Sequence, residues 1–310
     1  MYVVGIDLGG TFFKVGLVEV ETGKIKNKIE QETNVQDGRE KVIERMAKAV
    51  LDITKGSDYL GVGIGSPGSI DHDKGIVRFS PNFPDWVDFE LGEMLSSKLG
   101  KPVYVENDAN AFVLGEKWFG AGKGHNHIVA LTLGTGVGGG VISHGMLITG
   151  HNGIGTELGH VIIEPKGPQC GCGNYGCLEA LASATAIRRM AIEGQKKFPE
   201  SIIFKSEKID AKAVFDAAKK GDLLGKSIVE IVINALAIGI SNFIHIFNPE
   251  VVVIGGGVSR AGEILFNPLR EKVEHLVMPS FKGTYEIMQS PLFEEAGILG
   301  AASVILQNLK

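Results

Sequence analysis

The chain has 310 residues, 44% of them hydrophobic and 22% charged, with a formal net charge of -5. This length is comfortable for two domains, and the acidic balance argues against a protein that holds nucleic acid by electrostatics. No uninterrupted apolar run approaches the ~18 residues of a membrane span, and no basic leader precedes the first strand, so neither a membrane partner nor a signal peptide is expected.

Two counts stand out. Glycine occurs 43 times, about twice the typical ~7%, and 17 of the 43 fall between Gly120 and Gly176. Cysteine occurs three times, all within Cys170 to Cys177. So few thiols predict a reducing, cytoplasmic setting rather than a disulfide framework.

In chain order, Tyr2 to Ile6 and Phe13 to Val20 read as a hairpin closed by Asp7-Leu8-Gly9-Gly10-Thr11. Helical spacing marks Glu40 to Thr54, followed by a strand at Tyr59–Ile64, a helix at Phe89–Leu99 and a strand at Pro102–Val105. A helix over Ala109–Phe119 precedes a strand at Asn126–Leu133. The glycine turn Gly134 to Gly140 leads to a return strand at Val141–Ser143. Residues 144–177 read as loop. Helices follow at Ala180–Lys197, Ala211–Lys219 and Leu223–Phe247, then a strand at Val251–Ile254, the Gly255-Gly256-Gly257 turn, and helices at Gly262–Leu276 and Gly297–Leu309. Alternating strands and helices predict an α/β fold. The strand–glycine turn–strand device recurs at 2–20 and 127–143, which suggests two related domains meeting near residue 112.

A turn that grips phosphate brings backbone N–H groups close to anionic oxygens, an approach that side chains obstruct. Asp7 to Lys14 has that character: Gly9 and Gly10, the Thr11 hydroxyl, the Lys14 charge, and an Asp7 carboxylate suited to Mg2+ or its waters. Gly134, Thr135 and Gly136 open a second such turn, and two turns can pinch one polyphosphate. Gly255, Gly256 and Gly257 permit a nucleotide to lie across a third. Neither Gly134-x-Gly136-x-x-Gly139 nor Gly63-x-Gly65-x-x-Gly68 opens a helix, so the dinucleotide-binding reading fails; no Walker A loop is present.

Cys170, Cys172 and Cys177, with His160 as the nearest imidazole, would complete a tetrahedral structural Zn2+ site. Glu157 and Glu179 flank it and read either as acceptors for a polyhydroxylated ligand or as solvated acids. Glu106-Asn107-Asp108-Ala109-Asn110 reads either as a general base at a strand end or as a helix N-cap.

Together, Asp7 to Thr11, Glu106 to Asn110, Gly134 to Gly140, Glu157-Leu158-Gly159-His160 and the Cys170–Glu179 loop resemble the ROK family of sugar kinases, in its bacterial glucokinase branch. The resemblance implies a two-domain actin-like (ribonuclease H-like) ATPase fold with the active site in the interdomain cleft, and commonly a homodimer. The domains would be 1–112, with a C-terminal helix at about 297–310 packing back on it, and 113–296 with the zinc loop. Asp108 would deprotonate the 6-hydroxyl of a hexose, glucose favoured, with ATP–Mg2+ as donor. Asn82, Asn107, Glu157, His160 and Glu179 would hold sugar hydroxyls; Gly10, Thr11, Lys14 and Thr135 would contact phosphates, with Gly255 to Gly257 near the adenosine. Alternatives within the resemblance are a kinase for N-acetylmannosamine, fructose or allose, and a sugar-responsive repressor, which would carry a helix-turn-helix module before the first strand.

Overall fold

A computed structural model describes residues 1–308; Leu309 and Lys310, where the last expected helix ends, lie outside the described residues. The apolar runs of the first twenty residues fold as β1 (Tyr2–Leu8) against β2 (Phe12–Glu19), in register Asp7 to Lys14 and Leu8 to Phe13. Then follow β3 (Ile25–Glu32), α1 (Arg39–Thr54) and β4 (Val62–Ser66), with three short strands behind them: β5 (Ser69–Asp71), β6 (Ile76–Phe79) and β7 (Val87–Phe89). Helix α2 (Leu91–Leu99), β8 (Val103–Asn107) and α3 (Asp108–Phe119) complete this half. The other half runs β9 (Ile128–Leu133), β10 (Val137–Ser143), β11 (Met146–Leu147), α4 (Glu179–Ala182), α5 (Ala184–Gly194), α6 (Ala211–Lys219), α7 (Leu223–Phe247), β12 (Val251–Gly255), α8 (Glu263–Leu276), β13 (Glu286–Gln289) and α9 (Ala296–Asn308).

The recurring hairpin proves to be the centre of a recurring sheet. One five-stranded sheet has the order β3-β2-β1-β4-β8 and the other β11-β10-β9-β12-β13. In each, the first three strands are antiparallel and the last two join in parallel. The strands β5 to β7 form a separate small sheet, anchored to the first half's core by the stacked rings of Phe83, Trp86 and Phe89.

Helices α3 and α9 are exchanged between the sheets. Helix α3 follows the last strand of the first sheet but lies on β9 and β10, whereas α9 follows the last strand of the second and lies on β1 and β4. Glycines make both approaches feasible. A side chain at Gly5 or Gly63 would collide with the carbonyl oxygens of Ile298 or Ala301 in α9. At Gly138 and Gly140 it would press on Ala109 and Val113 in α3. The two helices touch where Gly115 meets Gly300. So β10 starts at Val137, and Gly138 to Gly140 belong to the strand and not to the turn.

Other expectations also shift. Phe89 ends β7, so α2 starts at Leu91. The helix expected over Ala180–Lys197 breaks at Ser183, whose extended backbone (ψ 160°) and hydroxyl, accepting from the Ala186 N–H at 3.1 Å, start α5 afresh. Against the expectation that no span would be found, α7 has the length and mean hydropathy (1.9) to cross a membrane; 61% of that window is buried inside the fold. Its apolar face is the spine of the second half's core.

Gly63→Ala tests the helix exchange. With Ala301 backbone in the way, the substitution is expected to cost about 1–3 kcal/mol, read as a lower unfolding midpoint in denaturant.

Candidate active site

Both glycine turns are wired alike. In the first, the Gly9 N–H donates to Phe12 O at 3.0 Å, the Thr33 hydroxyl donates to Gly9 O at 2.7 Å and the Thr33 N–H to Thr11 O at 2.8 Å. In the second, the Gly134 N–H donates to Gly136 O at 3.0 Å, the Ala184 N–H to Gly134 O at 2.8 Å and the Thr185 hydroxyl to Thr135 O at 2.8 Å. With carbonyls tied back, the N–H groups of Gly10, Thr11, Thr135 and Gly136 have no partner among the described residues. That is the arrangement an anion needs.

The end of β8 resolves the two readings of its polar run. Asn107 is the N-cap: its side-chain oxygen accepts from the N–H groups of Ala109 at 2.9 Å and Asn110 at 3.3 Å, while its amide donates to Gly68 O at 3.0 Å. Asp108 is thereby left as the first helical residue, facing the cleft. Burial pushes its carboxyl up to about 6, reinforced by the nearby carboxylates of Asp7 and Glu157 and opposed by the Ala109 N–H. The neighbouring Glu106 is buried and also raised, although it accepts from the Asn107 N–H (2.8 Å) and the Asn110 amide (3.1 Å). Burial likewise raises Asp7, with Lys14 pulling the other way.

The sulfurs of Cys170, Cys172 and Cys177 and a ring nitrogen of His160 all lie within 4.8 Å of one another. The Cys170 Sγ–His160 Nδ1 distance is 3.6 Å and Cys172 Sγ–Cys177 Sγ is 3.7 Å. The second is far beyond a disulfide and close to the edge of a tetrahedron with ~2.3 Å metal–sulfur bonds, so the donor set fits zinc. Glu179 joins this cluster to the second turn: Oε1 faces Cys170 Sγ at 3.3 Å and Oε2 accepts from the Val137 N–H at 3.0 Å.

A cleft of about 880 Å³ brings Asn107, Asp108, Gly134, Thr135, Gly136, Glu157, His160, Cys172 and Glu179 to one wall-to-wall space. Other expected residues stand elsewhere. Asn82 lies against Gly10, 3.1 Å from where a Cβ would be, and so belongs beside the first turn. Lys14 sits in β2 between Asp7 and Glu30 of the flanking strands. At the third turn, Gly255 makes room for Phe112 and Gly256 (φ 82°) for the Leu133 backbone, whereas Gly257 borders a separate cavity of about 380 Å³ with Phe215, Lys212, Lys219 and Arg260.

A family model described as the ROK family matches residues 3–308. The chain belongs to the ROK family. It is 61% identical over 310 residues to a glucokinase from Thermotoga maritima, covering 99% of this chain and 98% of that protein. A ROK hexokinase from Thermus thermophilus superposes with a TM-score of 0.86 at 34% identity, covering 100% of this chain and 99% of that one. A ROK family glucokinase from Streptomyces griseus, solved in complex with glucose and AMPPNP, gives 0.83 at 33% identity, with 98% and 99% covered. The exchanged-helix architecture is thus the two-domain actin-like ATPase fold of ROK sugar kinases, with the candidate site in the cleft between its domains.

Sequence reasoning missed part of this ROK cleft. Gly68, Ser69, Phe79 and Pro81, carried by the small sheet, line it too. Their one signal is the Pro67-Gly68 turn, where Gly68 has φ 110° and stands against the Phe79–Ser80 backbone. Thr156, just before Glu157, was also missed; a β-branched residue at φ 64° carries strain of a kind that gathers at functional positions.

The raised Asp108 has a cost in stability. Its folded value lies above the ordinary aspartate value of about 4, so the folded chain holds the proton more tightly and stability falls as pH rises from about 4 to about 6. Asn can keep the acceptor for the Ala109 N–H without the charge. Asp108→Asn is therefore expected to be more stable than the parent at pH 8 by about 2–3 kcal/mol, read as a higher unfolding midpoint in denaturant, with the gap closing towards pH 4.

Proposed function

We propose that this chain is an ATP-dependent glucose kinase, transferring the γ-phosphoryl group of ATP to the 6-hydroxyl of glucose to give glucose 6-phosphate and ADP. One observation carries the reading: a carboxylate tuned to about 6, Asp108, shares a cleft with a turn whose N–H groups are free for phosphate. The glucokinase names borne by the Thermotoga maritima and Streptomyces griseus relatives, and the glucose and AMPPNP in the latter's structure, support the choice of substrates.

In this reading Asp108 takes the proton from the 6-hydroxyl as the oxygen attacks phosphorus; a base near neutrality is mostly ionised at pH 7 yet still basic enough to accept it. Glu157, Asn107 and Glu179 hold sugar hydroxyls, with Asn82 closing the side near Gly10. The first turn (Gly9, Gly10, Thr11) and the second (Gly134, Thr135, Gly136) receive the phosphates from opposite domains, and the Lys14 charge adds to the field. The adenosine takes the cavity beside Gly257. Transfer then rests on positioning and charge neutralisation, with closure of the two sheet-bearing halves over the cleft, α3 moving with the second and α9 with the first, excluding water.

Asp7 is the carboxylate for Mg2+, a cation that is held through one or two carboxylates and substrate phosphates and that neutralises charge during transfer. His160, Cys170, Cys172 and Cys177 hold zinc. Four protein ligands close its coordination, so its contribution is structural. Nδ1 of His160 is the nitrogen turned towards Cys170, which leaves Nε2 for a sugar hydroxyl. The enzyme is further read as a cytoplasmic homodimer, with the exposed Ile231, Ile238 and Ile246 of α7 available to a second copy.

A coupled ADP-release assay across a hexose panel tests the reading, with glucose expected to give the highest kcat/KM; turnover confined to another hexose would overturn the substrate. Asp108→Asn should still bind glucose but lose about 10²- to 10⁴-fold in kcat, and parental kcat/KM should fall as pH drops below about 6. Near-parental turnover in the variant would remove Asp108 from the base role. Elemental analysis should find about one zinc per chain, lost in Cys172→Ser; zinc retained in full there would mean a different ligand set.

A further inference from the structure

The second phosphate turn does not hold itself in place. Both of its leading carbonyls are tied by the same short segment: Gly134 O by the Ala184 N–H and Thr135 O by the Thr185 hydroxyl, each at 2.8 Å. The N–H that follows the turn, that of Val137, is claimed by Glu179 at 3.0 Å. Residues 179–185 comprise α4, the break at Ser183 and the start of α5. Immediately before them stands Cys177, a member of the metal cluster, and Glu179 itself faces Cys170.

The path is short and covalent. Cys177 accepts the Ala180 N–H on its carbonyl at 3.0 Å, and the Leu178 N–H donates to Val161 O at 3.0 Å, so the start of α4 is fixed by the metal loop on one side and by the residue after His160 on the other. Three hydrogen bonds then pass that placement to the turn. Turning the Gly134 and Thr135 carbonyls away is what leaves the Thr135 and Gly136 N–H groups for an anion.

We infer that the Cys/His metal loop sets the geometry of the nucleotide-phosphate turn through α4, with Thr185 as a positioning residue, so that metal occupancy controls nucleotide affinity independently of the sugar. This rests on the reading that ATP phosphates sit on residues 134–136. A metal site that served only the sugar pocket would leave nucleotide binding alone.

The test measures AMPPNP binding with Mg2+ and no sugar, by calorimetry, alongside amide hydrogen exchange over residues 131–141. Four full-length proteins are compared: the zinc-loaded parent, Cys172→Ser, Thr185→Val and Thr185→Ser. Loss of one hydrogen bond corresponds to about three- to tenfold. Thr185→Val should bind AMPPNP weaker by that factor with unchanged glucose affinity, and Thr185→Ser should restore it. Cys172→Ser, shown free of zinc and folded by circular dichroism, should bind AMPPNP at least as weakly as Thr185→Val and exchange its 134–137 amides faster. Parental AMPPNP affinity in a folded, zinc-free Cys172→Ser overturns the metal link. Parental affinity in Thr185→Val overturns the role of the hydroxyl. Should Cys172→Ser fail to fold, the parent stripped of zinc by a chelator takes its place, and parental AMPPNP affinity in that folded, zinc-free parent overturns the metal link. If AMPPNP binds the parent without slowing exchange at 134–137, the underlying assignment of the turn is what fails.

Discussion

The structure depends on backbone-to-backbone approach at glycine. Helices α3 and α9 lie so close to the opposite sheets that α9 carbonyl oxygens, and the Ala109 and Val113 side chains of α3, occupy the space where strand side chains would be. Each helix starts at the cleft. Asp108 is the first residue of α3, and Gly297, the second of α9, lies directly against the Asp7 carboxylate, where any side chain would collide. Asp108 is therefore carried on α3, while Asp7 ends β1 with α9 packed against its carboxylate. At the other end, Glu116 of α3 accepts from the Ser290 hydroxyl, which lies after β13, and from the Ala121 N–H at 2.9 Å. The helix pair is thus fixed near both ends and crosses at Gly115 and Gly300.

Against this rigid frame, the cleft gathers like charges. Burial raises the cost of ionising Asp108, and the nearby carboxylates of Asp7 and Glu157 add to it. A fold selected for stability alone would not place them so. A positive charge or a hydrogen-bond donor placed beside these carboxylates would favour their ionised forms.

Much of this was legible in the sequence, and the gaps have physical causes. Segments such as α1 and α7 declared themselves by helical apolar spacing, and β1 by an apolar run buried on both faces. The cysteine loop declared itself by chemistry: three thiols in eight residues rarely have another reason to cluster. The strands β5, β6 and β7 did not show, since three or four residues are too few to display a period. Glycine itself misled. Gly134 and Gly136 belong to a turn, while Gly138 to Gly140 are strand residues shaped by a helix distant in sequence, and both uses leave the same letter. For Asn107 and Asp108 the sequence offered one cap and one acid without order, and hydrogen-bond geometry assigned the cap. Thr33 and Thr185 had no local signal, because what they hold lies across a loop.

The exchange of helices also bears on how the chain is made. The first sheet spans residues 2–107, yet the helix that covers the glycine faces of β1 and β4 is Ala296–Asn308. During synthesis that sheet emerges early and stays unroofed while nearly two-thirds of the chain follows. An apolar face left open in this way favours association until it is covered. Docking of α9 covers the glycine faces of β1 and β4 and encloses the Asp7 carboxylate in one step of assembly.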